Sequence, residues 1–285
     1  MVAFEFDDTL TPEQIRNGKS LYVGNQEISC HIIFDIKMDL TRKARFVAGG
    51  RVTETPASIT YSSIVSWDSV RIAFLIAALN DLEVMACDVG NAYLNAPCRE
   101  RIWFVAGPEF GSRQGTVIKI VRALYGLKSS GTSWCAMFNA SILEMGFEAT
   151  IADPDVYRKA NANADGFKYY EYILVYVDVL IISHTPTEHL ERIKANYELN
   201  PSSIRPPSRY LGADVRKVTR PGDPIGREYW SFSANSYVKN AVRNVKLLLQ
   251  EDGHGLKSTV KTPFPSTTYH PEVDTSDECD TDGAS

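Results

Sequence analysis

Two aspartates stand where a folded chain does not ordinarily place a bare charge. Asp88 closes the apolar run EVMACDV, and Asp178 interrupts the run YILVYVDVLII at 172–182. An ionised carboxylate in such surroundings needs a partner or exposure. The pair is therefore either a chemical site or a solvent-facing hairpin turn. Other residue types that bind metals form no pattern. Cys30, Cys87, Cys98, Cys135 and Cys279 are odd in number and contain no C-x-x-C pair, which argues against a zinc knuckle or disulfide framework and for reduced thiols. His184 and His189 lack the i, i+4 spacing of H-E-x-x-H, although Glu188 precedes His189.

The elements that must position the aspartates can be read from periodicity. Residues 1–30 are weakly patterned, with Asn17-Gly18 and Gly24-Asn25 as turns, and read as a lead-in. HIIFDIKMD from His31 and KARFVAGG from Lys43 alternate as two strands of a small antiparallel layer. Ser66 caps a helix to about Asn80, with Val70, Ala73, Phe74, Ala77 and Ala78 on one face. Glu83 to Val89 is a strand, and Ser130 to Met145 is a helix stopped by Gly146. Val156 to Arg158 is extended. Tyr169 to Val175 and Leu180 to Ser183 are strands, and Thr185, Pro186 and Glu188 open a capping-box helix to about Leu199. Arg209 to Val215 is the last strand. In order, 83–216 reads βαββαβ, the ferredoxin-like arrangement. In that topology the first and third strands are neighbours, which sets Asp88 beside Asp178.

Composition agrees with a folded chain of one large or two small domains. Its 285 residues are 44% hydrophobic and 23% charged, so collagen-like, disordered and disulfide-scaffold classes fall away. The longest apolar stretch, 173–182, is broken by Asp178 and falls well short of the roughly 20 residues of a membrane helix. Glu5, Asp7 and Asp8 stand where a secretory signal carries positive charge, so an intracellular protein, cytoplasmic or nuclear, is expected. Charge is uneven. Residues 1–200 hold 19 Lys+Arg against 24 Asp+Glu, 201–250 hold 9 against 3, and 251–285 hold 2 against 8, giving −5, +6 and −6. A basic segment before an acidic tail suggests one localised anion-binding surface.

With these residues in place, the sequence closely resembles the reverse transcriptase of copia-type retrotransposon polyproteins over roughly His31 to Gln250. The matching segments, in the family's order, are KARFVAGG (43–50), ITYSSIVSWDSVRIAFLIAAL (59–79), ACDVGNAYLNA (86–96), IWFVAGPEFG (102–111), ALYGLKSSG (123–131), ADPDVY (152–157), YVDV (176–179) and RYLGADV (209–215). The resemblance implies an α+β right-hand polymerase: small fingers at 31–82, a ferredoxin-like palm at 83–216 with a fingers segment at about 99–128, and a partial thumb at 217–250. Residues 251–285 would be an acidic disordered linker.

The resemblance also implies roles. Asp88 and Asp178 would hold Mg²⁺ or Mn²⁺, with the Val89 carbonyl a further donor, because hard divalent ions take oxygen ligands. Two such ions stabilise attacking and leaving oxygens in nucleotidyl transfer. Lys43 and Arg45 would meet the triphosphate of an incoming deoxynucleotide. Tyr93 would underlie its sugar, and Tyr125, Gly126 and Lys128 would pack on nucleotide and template. Tyr210, Leu211 and Gly212 look like the primer grip, and Arg216, Lys217, Arg220 and Arg227 would follow phosphates of an RNA or DNA template with its primer. RNase H and integrase domains accompany this domain in a full element, so the chain reads as a polyprotein fragment.

The resemblance breaks at one point. The family's hairpin is Tyr-x-Asp-Asp, and this chain reads Tyr176, Val177, Asp178, Val179. Valine cannot ligate a metal, so weak or absent polymerase activity is expected, and a catalytically inactive nucleic-acid-binding remnant is the alternative. Asp153 and Asp155 are poor replacements, because their segment precedes the hairpin. Ser129, Ser130 and Gly131 stand where the family has a Gln-Ala-Pro-like run.

Overall fold

The computed structural model describes residues 3–7, 11–17, 24–36, 41–53, 63–176, 178–219, 222, 224, 226 and 228–255. In chain order the first half contains β1 (Phe4–Asp7), α1 (Pro12–Arg16), β2 (Gln26–Glu27), β3 (Cys30–Ile36), β4 (Arg42–Ala48), α2 (Trp67–Leu79), β5 (Glu83–Asp88), α3 (Ala92–Asn95), β6 (Ile102–Val105) and β7 (Val117–Ile120). The second half contains α4 (Ser130–Glu144), β8 (Glu148–Ala149), β9 (Val156–Ala162), β10 (Lys168–Val175), β11 (Asp178–Ser183), α5 (Pro186–Lys194), β12 (Arg209–Tyr210), β13 (Ala213–Thr219), β14 (Glu228–Ser233) and α6 (Asn235–Glu251). The chain is a mixed helix and sheet protein. It divides into two compact units, Met1–Ala234 and Asn235–Ser285. In the second unit, α6 sets Val238, Val242 and Val245 at helical spacing, with Lys239, Arg243 and Lys246 among them.

The central sheet has the order β5-β11-β10-β9-β8. Its alternation sorts the core into two layers, because successive strand residues point to opposite faces. Cys87, Ile173, Val175, Val179 and Ile181 pack with Trp134, Phe138 and Ile142 of α4 and with Leu190 and Ile193 of α5. Val84, Leu174, Leu180 and Ile182 pack with Val70, Ala73, Phe74 and Ala77 of α2. Helix α2 starts at its expected cap, where the Ser66 hydroxyl accepts from the Ser69 N–H at 3.1 Å. Asp153 reinforces that cap, accepting from the Ser66 N–H at 3.0 Å and the Ser69 hydroxyl at 2.6 Å.

One buried polar cluster pins α5 to this sheet. Glu171 accepts from the Ser183 hydroxyl at 2.5 Å, and its other oxygen lies 3.1 Å from His189 Nε2. All three residues are buried. Burial alone would raise the Glu171 carboxyl. The Ser183 hydrogen bond and the His189 imidazole 3.1 Å away outweigh it and hold the group below its ordinary range.

Three expectations are corrected by the fold. The lead-in is partly structural: β1 pairs antiparallel with β7, β2 pairs parallel with β6, and the order β1-β7-β6-β2 makes a four-stranded sheet. Phe4 supplies the reason, packing on Phe46, Phe104 and Phe110 with ring centroids 5.8 to 5.9 Å apart. The expected last strand, 209–215, does not complete a βαββαβ sheet. Leu211 and Gly212 take positive φ (48° and 81°) and break it into β12 and β13, which join β14 in a separate three-stranded sheet. That sheet lies on α2, where Phe74 meets Trp230 and Phe232 at 5.0 and 4.9 Å. The free edge of β5 is met instead by two isolated bridges, Ala86 with Arg205 and Val89 with Leu199. Finally, α5 stops at Lys194 rather than Leu199, because Tyr197 and Leu199 turn into the core, and Thr185 makes no side-chain cap.

Other expectations hold. β3 and β4 form a two-stranded antiparallel layer, α4 ends before Gly146 at φ +88°, and β11 lies between β5 and β10. Residues 256–285, and with them most of the acidic tail, lie outside the described residues.

Candidate active site

The register of β5 and β11 pairs Asp88 directly with Asp178. Both share the face of Val84, Ala86, Leu180 and Ile182 at the end of their strands, so two carboxylates stand side by side. The chain after α5 buttresses Asp88. Its N–H donates to the Ser203 hydroxyl at 2.8 Å, and its carbonyl accepts from the Asn200 N–H at 2.9 Å. Sequence reading passed over this support, for which the turn-forming run Asn200-Pro201-Ser202 was the available signal. Burial, and then the negative charge of Asp88, raise the Asp178 carboxyl above its ordinary range. Both influences disfavour the charged form, and a cation between the two groups would reverse the second.

A cleft of about 460 Å³ opens on this pair. It is lined by Asp88, Val89 and Asp178 from the sheet, Tyr93 from α3, Tyr125 from the loop before α4, and Lys43 and Arg45 from β4. Seven of the expected site residues, drawn from five separate segments, thus meet in one cavity. Arg45 also pairs with Asp35 across the hairpin at 3.3 Å. Burial, then Tyr125 and the Cys135 thiol, raise the Tyr93 phenol, which keeps it neutral.

The remaining expected residues are placed differently. Gly126 permits a close approach, but to protein backbone. At φ +93°, a Cβ there would stand 2.1 Å from the Ala48 carbonyl oxygen. Lys128 donates to the Thr53 carbonyl at 2.6 Å and does not line the cleft. Ser129 and Ser130 anchor the start of α4, the first through Glu100 at 2.5 Å and the second through the Leu124 carbonyl at 2.6 Å.

Val179 follows Asp178 but points the other way. It is 2% exposed and packs in the core opposite Cys87, whose thiol is pushed up to about 12 by burial and by Asp88 and Asp178. Tyr176 lines a neighbouring apolar cleft with Trp67 and Leu211, and Val177 lies outside the described residues.

Tyr210 is not a surface grip. It is 1% exposed in the α2 layer, and burial, then Asp178 and Tyr176, raise its phenol. Leu211 and Gly212 form the turn above it. Arg216 and Lys217 are exposed on opposite faces of β13, and Lys217 pairs with Glu228 at 3.2 Å. Arg220 and Arg227 lie outside the described residues.

The donor set suits a hard divalent ion. Among the described residues no third His, Cys, Asp or Glu joins the pair, so the cleft offers side-chain oxygen, the two carboxylates foremost, which suits Mg²⁺ or Mn²⁺ better than zinc. Also among the described residues, no helix is long and apolar enough to cross a membrane.

Comparisons with known proteins give the chain its relatives. The family described as reverse transcriptase (RNA-dependent DNA polymerase) matches residues 20–232. The Retrovirus-related Pol polyprotein from transposon TNT 1-94 of Nicotiana tabacum is 26% identical over 235 residues, covering 79% of this chain and 17% of the relative. That from transposon RE1 of Arabidopsis thaliana is 30% identical over 171 residues, covering 56% and 11%. The Transposon Ty1-NL2 Gag-Pol polyprotein of Saccharomyces cerevisiae is 31% identical over 119 residues, covering 41% and 7%. The chain therefore spans less than a fifth of the length of these relatives. With a match over most of its length, the chain belongs to the reverse transcriptase family, as a domain of the copia-type retrotransposon polyprotein kind.

Proposed function

We propose that the cleft binds a divalent metal with the triphosphate of an incoming deoxynucleotide, and that the chain is an RNA-directed DNA polymerase domain weakened by valine at 179. The observation that carries this reading is the convergence of Asp88 and Asp178 with Lys43, Arg45 and Tyr93 in one cavity. In this reading β5, β9, β10 and β11 with α4 and α5 serve as palm, β3 and β4 with the segment around 99–128 as fingers, and 217–250 as a partial thumb.

Each residue then has a task. Asp88 and Asp178, helped by the Val89 carbonyl, would hold the metal, which supplies charge stabilisation to the oxygens of in-line attack by a primer 3′-hydroxyl on the α-phosphate. Lys43 and Arg45 bind non-bridging phosphate oxygens. The Arg45–Asp35 pair is partly exposed, and such pairs are worth little, so phosphate can compete for the guanidinium. The Tyr93 ring meets the sugar. Leu211 and Gly212 guide the primer, with Tyr210 as their buried support, and Arg216 meets duplex phosphates. RNA or DNA template with primer and the other polyprotein domains are the partners this role requires.

A second reading, an inactive module that binds template and primer, is favoured by Val179. Losing one group that stabilises transition-state charge typically costs on the order of 10²- to 10³-fold in rate. Primer extension on a poly-RNA template separates the two. The native chain is expected to extend slowly, Asp88→Ala to be silent, and Val179→Asp to extend faster. Salt-sensitive template binding with no extension by either the native chain or Val179→Asp would establish the binding module and reject the polymerase.

A further inference from the structure

The family match starts at residue 20, yet a strand that precedes it reaches the cleft. Ala3 and Phe4 line the same cavity as Lys43, Arg45, Asp88 and Asp178. β1 is an edge strand of the four-stranded sheet. Its register on β7 runs from Phe4 opposite Ile120 to Asp7 opposite Val117. The Val121 N–H extends the ladder by donating to the Ala3 carbonyl at 3.1 Å, and Glu5 pairs with Lys119 at 3.3 Å. So held, Phe4 packs against the core of Phe104, Ile118 and Ile120.

Four rings meet there. Phe4, Phe46, Phe104 and Phe110 touch in all six pairings, with centroids 5.7 to 5.9 Å apart. Phe104 belongs to β6 and Phe110 to a short 3-10 helix, Pro108–Arg113. Phe46 belongs to β4 and directly follows Arg45. The other strand of that two-stranded layer gives little anchorage, because Ile32, Ile33, Phe34 and Ile36 of β3 are exposed. The Arg45–Asp35 pair lies within the layer and moves with it. β4 is tied to its neighbours at Ala48, whose N–H donates to the Tyr125 carbonyl at 2.8 Å, and at Phe46 through the rings. The ring cluster is thus the attachment nearer to Arg45. Edge-to-face contacts at such distances add stabilisation beyond buried area and fix the rings relative to one another.

We propose that Phe4 is a positioning residue for nucleotide binding, the ring by which β1 holds Phe46 and, through it, keeps Arg45 within reach of the triphosphate. This rests on the triphosphate reading of the cleft. Deleting the ring leaves a void beside Phe46, and surrounding structure relaxes part of the way into such a void. β4 then shifts and draws Arg45 from the phosphates, whereas Asp88 and Asp178, paired between β5 and β11, stay in place. The N-terminal strand is in this way a component of the nucleotide site.

The test is equilibrium binding of dGTP to the full chain with Ca²⁺, which supports binding without turnover, in the native chain, Phe4→Ala, Arg45→Ala and the double variant. Mn²⁺ binding without nucleotide is measured beside it. A hydrogen bond to a charged group is worth about ten-fold or more in affinity, and Phe4→Ala is expected to weaken dGTP by about that factor. In the Arg45→Ala background the same change is expected to cost less than about three-fold, because the two residues act as one unit. Mn²⁺ affinity is expected to stay native in Phe4→Ala. Phe4→Leu keeps apolar bulk without a ring edge and serves if the alanine variant fails to fold, with the same dependence on Arg45. Native dGTP affinity in Phe4→Ala, or in Phe4→Leu where it stands in, overturns the inference. An equal loss with and without Arg45, or a fall in Mn²⁺ affinity, marks a merely structural residue and overturns it too. All three outcomes leave the triphosphate reading intact, whereas failure of the native chain to bind dGTP overturns both.

Discussion

Glu171 and Asp178 are acidic residues on adjacent strands of one sheet, and their surroundings could hardly differ more. Glu171 faces the α4 and α5 layer, where Ser183 and His189 answer both of its oxygens, and its carboxyl sits below its ordinary range despite burial. Asp178 faces Asp88 at the end of the strands, and both burial and that neighbour push it upward. A carboxylate kept for structure is given partners by the fold. One set beside a like charge is destabilised by it, a cost that a bound cation would recover.

The largest disturbance should come from the structural side. Glu171→Ala leaves Ser183 and His189 buried without their acceptor, and a loss of about 3 kcal/mol is expected, lowering Tm by roughly 6 to 12 °C in thermal unfolding. Val179→Asp comes next. An aspartate there starts among Cys87, Phe138 and Ile181 and reaches the cleft only if the strand turns locally, so a Tm decrease of roughly 4 to 8 °C is expected, and a gain in primer extension requires that turn. A variant as stable as the native chain would mean that position 179 can turn toward the cleft at no cost.

Asp178→Asn works in the opposite sense. It removes repulsion from Asp88, so Tm should rise by about 2 to 4 °C near neutral pH, while metal-dependent nucleotide binding is lost. Acid titration of stability gives the smallest effect and the sharpest contrast. The raised carboxyl of Asp178 binds its proton more tightly in the folded chain, so its contribution is present below about pH 4 and is lost as pH rises through the raised value. Glu171 has the reverse sign, stabilising above about pH 4 and failing as pH falls through its lowered value. The Tm advantage of Asp178→Asn should therefore shrink toward pH 4, and the disadvantage of Glu171→Gln should shrink only below it. Parallel curves for the two variants would remove the distinction between them.

The carboxylate pair was legible in the sequence although its two strands lie far apart in the chain, because the two-residue period marked the strands and the ferredoxin-like topology set the first beside the third. The N-terminal strand was not. FEFD is four residues long, and Phe4 pairs with Ile120, so nothing near it in the chain announces the ladder. Arg209 to Val215 misled for a different reason. Its residue types suit a strand, and the break falls at Leu211, where a left-handed backbone is uncommon for such a side chain. Gly126 shows a third limit. A glycine signals close approach, but its type does not say whether nucleotide or the carbonyl of Ala48 approaches. Lys128 and Tyr210 looked like functional groups at matched positions, and the fold spends the first on the Thr53 carbonyl and the second in the core.

The most direct test of the central claim is Mn²⁺ binding followed by electron paramagnetic resonance, with and without dGTP, in the native chain, Asp88→Asn, Asp178→Asn and Glu171→Gln. Native protein and Glu171→Gln are expected to bind the ion more tightly with dGTP present, and either aspartate variant to lose at least about ten-fold in affinity, the effect expected when a metal site is disturbed. Native-like binding by Asp88→Asn and Asp178→Asn would contradict the assignment of this carboxylate pair as the metal and nucleotide site.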